Sequence, residues 1–179
     1  MKRILSLTVL ALLVVASVGL AQLGSTTGTT TISVSVGAEA GLTVNTATTT
    51  LAEVGGNFSA YTGTTGLTYY VRTTSNTGSG SITLKVTTDF GPAGGPSIGS
   101  PPTAGDKLAY TCTVSAPGTA CVGSITSSIS ASTSVGTFSA DAHSGFAGNA
   151  ASTSWTLTND PAYKVGTYNA TVTYTISAS

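Results

Sequence analysis

Charge is scarce in this chain of 179 residues, where Asp, Glu, Lys and Arg together make up only 7%. Without a basic patch there is nothing to neutralise phosphates, so nucleic acid and anionic lipid are poor partners. Histidine is nearly absent. His143 is the only one, so no His/Cys metal site of the usual kind can be assembled. A nucleophile–base–acid constellation would have to be built on His143 alone, in the loop-like stretch Asp141-Ala142-His143-Ser144-Gly145. The carboxylates Glu39, Glu53, Asp89, Asp106, Asp141 and Asp160 are scattered rather than set at the short intervals that calcium requires. Most stand within two residues of Gly, Pro or Asn, where a carboxylate caps a turn by accepting backbone N–H bonds. The reading is therefore non-enzymatic, with no cofactor and no metal.

Also missing are a sustained 3.6-residue apolar period, which excludes amphipathic helices, and a 20-to-50-residue repeat, which excludes solenoids and propellers. Only one long apolar run exists, Ile4 to Val18, behind Lys2 and Arg3 and ahead of Gly19-Leu20-Ala21. A positive start, a short apolar centre and small residues at −3 and −1 predict a secretory signal peptide over residues 1–21, cut before Gln22. The run is too short to span a bilayer, and no later segment is long enough, so the mature protein has no membrane span. Residues 22–179 then form a single domain, secreted or held at the cell surface. Removing the signal leaves Arg72, Lys85, Lys107 and Lys164 against six carboxylates, a net charge of −2.

Serine and threonine take the place of charge, which is common in surface and fibre proteins. The two cysteines, Cys112 and Cys121, are predicted to form one disulfide in an oxidising compartment. The turn Ala116-Pro117-Gly118-Thr119 would bring their strands together, clamping Lys107 to Val114 against Val122 to Ile129.

Alternation with period two recurs along the whole chain, in short runs bounded by Gly, Asn, Pro and Ser. Thr30 to Val36 places Ile32, Val34 and Val36 on one face, and Leu42 to Val44 follows. Leu67 to Thr74 and Ser81 to Thr88 flank Asn76-Thr77-Gly78-Ser79-Gly80, which reads as a hairpin turn. Further strands are expected over Ser134 to Ala140, Thr153 to Thr158 and Thr167 to Ser177. In the last, Tyr168, Ala170, Val172, Tyr174 and Ile176 alternate with hydroxyl and amide residues, predicting one buried and one wet face. The expectation is an all-β fold: an Ig-like antiparallel β-sandwich of seven to nine strands with Greek-key connections.

Two surfaces qualify as functional. Thr30 to Val36 follows a loose leader, Gln22 to Thr29. It reads either as an ordinary first strand or as a donor that completes a neighbour's sheet, with Ile32, Val34 and Val36 filling pockets. Tyr61, Tyr69 and Tyr70 form a candidate glycan-stacking platform, with one of the neighbours Tyr69 and Tyr70 in the core and the other exposed.

The closing stretch Val165-Gly166-Thr167-Tyr168-Asn169-Ala170-Thr171-Val172-Thr173-Tyr174 resembles the last strand of bacterial fimbria-like secreted sandwiches, the spore coat protein U-like and pilin-like families. Ile32-Ser33-Val34-Ser35-Val36 followed by Leu42-Thr43-Val44 is similar to their first strands. The resemblance implies a structural subunit of a pilus-like or coat-like assembly, partnered by copies of itself or related subunits and without catalytic activity. A secreted carbohydrate-binding or adhesive module is the alternative.

Overall fold

The computed structural model describes residues 28–179, so the expected signal peptide over residues 1–21 lies outside the described residues. The sandwich is built from Val36–Ser179. Among the described residues there is no helix, and ten strands form two antiparallel sheets. The strands are β1 (Glu39–Val44), β2 (Ala52–Glu53), β3 (Tyr61–Arg72), β4 (Gly80–Gly91), β5 (Leu108–Val114), β6 (Thr119–Ala120), β7 (Ile125–Thr126), β8 (Thr133–Phe138), β9 (Asn149–Leu157) and β10 (Asn169–Ala178). The first sheet runs β1-β3-β9-β5-β7, with β2 also on β3, and the second runs β10-β4-β8-β6.

The period-two pattern explains which side of each strand is dry. On β3, Leu67, Tyr69 and Val71 are buried, while the alternate residues Tyr70 and Arg72 are exposed. On β4 the inward row is Ile82, Leu84 and Val86, and on β9 it is Ala151, Thr153, Trp155 and Leu157. Leu108 and Tyr110 of β5 and Val135 and Phe138 of β8 complete the core between the sheets. Each buried apolar side chain of this size contributes about 1.5–3 kcal/mol relative to exposure.

Polar groups that enter the core find partners there. Trp155 donates its indole N–H to Thr65 Oγ1 at 2.9 Å, and Thr65 Oγ1 lies 2.6 Å from Thr49 Oγ1. Thr153 Oγ1 is bonded to the Tyr174 hydroxyl at 2.6 Å, which ties the two sheets together. The Tyr110 hydroxyl is bonded to Thr133 Oγ1 and to the Ser134 carbonyl, both at 2.8 Å. Such pairing removes most of the cost of burying a hydroxyl.

Three expectations are corrected. The residues flanking Asn76 to Gly80 do not form a hairpin, because β3 belongs to the first sheet and β4 to the second. The connection crosses between layers and bonds instead to the chain end, with Thr74 N–H on Ser179 O at 3.0 Å and Ser179 N–H on Ser79 O at 2.8 Å. Nor do Lys107 to Val114 and Val122 to Ile129 form the pair clamped by the disulfide. Of the expected partner segment only Ile125–Thr126 pairs with β5, while the bridge runs from Cys112 in β5 to Cys121 just past β6, a strand of the opposite sheet. The link is therefore between layers, with the two Cα atoms 5.5 Å apart. Finally, Thr30 to Val36 is not an ordinary first strand: among the described residues it pairs with nothing, and the first strand begins at Glu39.

Candidate functional site

The chemistry-bearing residues stay apart. His143 is exposed, with Nδ1 2.9 Å from the Asp141 carbonyl. Among the described residues no group of three or more His, Cys, Asp and Glu comes together in a way that could hold a metal ion. The carboxylates organise loops. Asp89 accepts bonds from the N–H groups of Phe90, Ile98 and Gly99 and from Ser97 Oγ, at 2.7–3.0 Å. Burial pushes this carboxyl up, but those four donors outweigh it and hold it below its ordinary value. Asp160 accepts from the Ala162 N–H at 2.7 Å, and bonds from Thr103 and Ala162 hold its carboxyl low as well. Asp106 accepts from the Tyr163 hydroxyl at 3.1 Å; burial first, then this acidic partner, raises the phenol.

The tyrosines separate as their alternation requires. Tyr69 is fully buried, its hydroxyl bonded to the Ser115 carbonyl and receiving the Gly118 N–H at 3.0 Å. It is therefore removed from any stacking platform. Tyr70 is exposed and Tyr61 half-buried, at opposite ends of β3.

Around Tyr70 the structure builds something that periodicity did not indicate. Ahead of the start of β9, residues 142–144 take its place beside the end of β3: Thr73 N–H bonds Ala142 O and Ser144 N–H bonds Val71 O, each at 2.9 Å. The loop then returns over Tyr70, whose ring lies against Gly148, and places Phe146 at its tip with no cover at all. Across β3, Arg72 donates to Gly37 O at 2.7 Å and to Glu39 Oε2 at 2.9 Å. The result is a groove of about 530 Å³ lined by Glu39, Gly41, Tyr70, Arg72, His143 and Phe146. The one signal in the sequence was the adjacency of His143-Ser144-Gly145-Phe146, an aromatic in a small-residue loop.

A second feature lies at the other margin of the fold. Among the described residues β10 is an edge strand, bonded to β4 on one side only. Its inward residues Val172, Tyr174 and Ile176 pack on the core yet are each only half-buried. Their counterparts on the adjoining β4, Ile82, Leu84 and Val86, are buried to 1% exposure or less. β1 approaches β10 across the sandwich, and its own inward row behaves alike: Leu42 is half-buried and Val44 exposed. The seam between β1 and β10 is thus open, with apolar side chains partly wet on both banks.

Ile32, Val34 and Val36 are 92%, 85% and 62% exposed. Three β-branched or branched apolar residues at alternate positions, all in water, are an unusual expense for a soluble surface.

No protein-family model matches the chain, and neither does any curated protein or any solved structure.

Proposed function

We propose that the protein is an exported structural subunit whose segment Thr30 to Val36 completes the open seam of another copy. The observation that carries this reading is the mismatch on one chain: an unpaired alternating segment, exposed at Ile32, Val34 and Val36, and an edge strand with half-wet apolar residues. The free edge of β10 offers backbone N–H and C=O groups to an added strand. The three donor side chains match the alternate spacing of Val172, Tyr174 and Ile176, so main-chain pairing and side-chain burial favour the same register. Burying each donor side chain adds about 1.5–3 kcal/mol to association before the ordering cost of the segment.

Export fits the same reading, because a disulfide between the sheets belongs in an oxidising compartment. Scarce charge and hydroxyl-rich outer faces suit a surface on which many copies lie side by side without repulsion. The product is a filament or coat of identical subunits, with the leader of each tied to the next.

Deleting Gln22 to Gly37 tests this. Electron microscopy and light scattering should show assemblies for the full chain, and a folded monomer for the trimmed one. If the trimmed protein assembles as before, or the full chain stays monomeric at every concentration, strand donation is wrong.

A further inference from the structure

The groove beside Tyr70 lies on the outer face of the first sheet, away from the residues that face the seam. Its floor is a tyrosine ring held in one orientation. The ring rests on Gly148, where a Cβ would come within 2.8 Å of it. On the other flank, Gly41 stands directly opposite Tyr70 in the β1–β3 register and carries no side chain to cover the ring. A Cβ at Gly41 would begin 4.0 Å from the ring, so any larger residue there would occupy the space over it. Phe146 supplies a second aromatic face from the loop tip, wholly exposed.

The polar members are equally fixed. Arg72 is anchored by Gly37 O and Glu39, which leaves part of its donor fork and one Glu39 oxygen free beside the aromatic rings. Its charge is balanced by Glu39, so the groove has no preference for an anion. Beyond it, the same face continues as hydroxyl rows, with Thr64 opposite Ser154 and Ser154 opposite Thr111. Flat apolar rings next to planar donors and acceptors suit a pyranose, which presents C–H on its faces and hydroxyls on its rim. A continuing lane of hydroxyls suits a chain of them.

We infer that this groove binds a neutral polysaccharide, with Tyr70 and Phe146 stacking on sugar faces and Arg72 and Glu39 reading hydroxyls. The inference does not rest on strand donation, because it uses neither the leader nor the seam.

Affinity gel electrophoresis of the purified full chain in laminarin, mannan, xylan or dextran, with alginate as acidic control, tests it. At least one neutral polymer should retard the protein, and longer oligosaccharides should compete better than short ones. Phe146→Ala, at a fully exposed position, should weaken retention about tenfold while the melting temperature stays unchanged. Gly41→Leu should abolish retention while every aromatic remains. Circular dichroism melting checks that this variant is folded, and Arg72→Ala gives a second reading should it not be. Retardation by none of the neutral polymers, retention only in alginate, or retention that survives Phe146→Ala and Arg72→Ala would each overturn the assignment.

Discussion

Trp155 of β9 and Thr65 of β3 meet inside the core, the indole N–H donating to Thr65 Oγ1 at 2.9 Å. Trp155 is the only tryptophan, so its fluorescence reports on this contact and on global unfolding alike. Thr65→Val keeps the shape but strands a buried N–H, and should cost about 2–3 kcal/mol in a denaturant titration. Thr65→Ser keeps the acceptor and loses one methyl, for about 1 kcal/mol. Equal losses from the two substitutions would show that the hydrogen bond contributes nothing.

The bridge from Cys112 to Cys121 closes a loop with a sequence separation of 9 and joins the two sheets. Restricting the unfolded chain over that span is worth about 2.5 kcal/mol. The double variant Cys112→Ser/Cys121→Ser should therefore melt roughly 5–10 °C lower. Calorimetry on the oxidised wild type and the double variant, with the wild type repeated under reducing conditions, checks the size of the shift.

Asp89 links stability to pH. Its folded carboxyl titrates below the ordinary value of 3.8, so folding favours the ionised form. That contribution is fully present above the unfolded value and disappears as pH falls through the folded one. Asp89→Asn should cost about 1–2 kcal/mol at neutral pH, because an amide cannot accept from all four donors. The gap from wild type should narrow as the pH is lowered from about 5 to about 2. A gap that stays constant over that interval would show that Asp89 acts without its charge.

For the donor segment, the double substitution Ile32→Asp/Val34→Asp removes apolar surface that is already exposed in the subunit. Monomer stability should stay within about 0.5 kcal/mol of wild type. Assembly should be lost, because two carboxylates would have to be desolvated in the seam. Sedimentation velocity separates the two effects.

Much of the sandwich was legible because period two needs no partner to be recognised. Thr167 to Ser177 reads as alternating, and β10 forms over Asn169–Ala178 with Val172, Tyr174 and Ile176 toward the core as expected. Tyr69 and Tyr70 had to face opposite ways, and they do. The pairing of the cysteines was legible for a simpler reason: there are only two.

Other features were not readable, each for its own reason. Asn76 to Gly80 has the residues of a tight turn, but the same residues serve equally well where a chain crosses to the other layer. The disulfide is expected to clamp Lys107 to Val114 against Val122 to Ile129, but the short β6 just before Cys121 belongs to the opposite sheet. The groove depends on Gly41 of β1 and on Phe146 and Gly148 of one distant loop, which are brought to Tyr70 by pairing and loop return. Locally, only the aromatic in the small-residue loop His143-Ser144-Gly145-Phe146 marks them.

The sequence by itself determined that this chain forms strands, which side of each is apolar, and that two thiols join. Those outcomes follow from side-chain period and chemistry, which travel with the residues. Only the tertiary structure decided which strands share a sheet, that the disulfide spans the layers, and that β10 is left with one unbonded edge. The physical reason is that backbone N–H and C=O groups bond any extended neighbour equally well. The choice among neighbours is made by burying whole layers at once, and that is where the open seam and the unpaired Ile32, Val34 and Val36 arise.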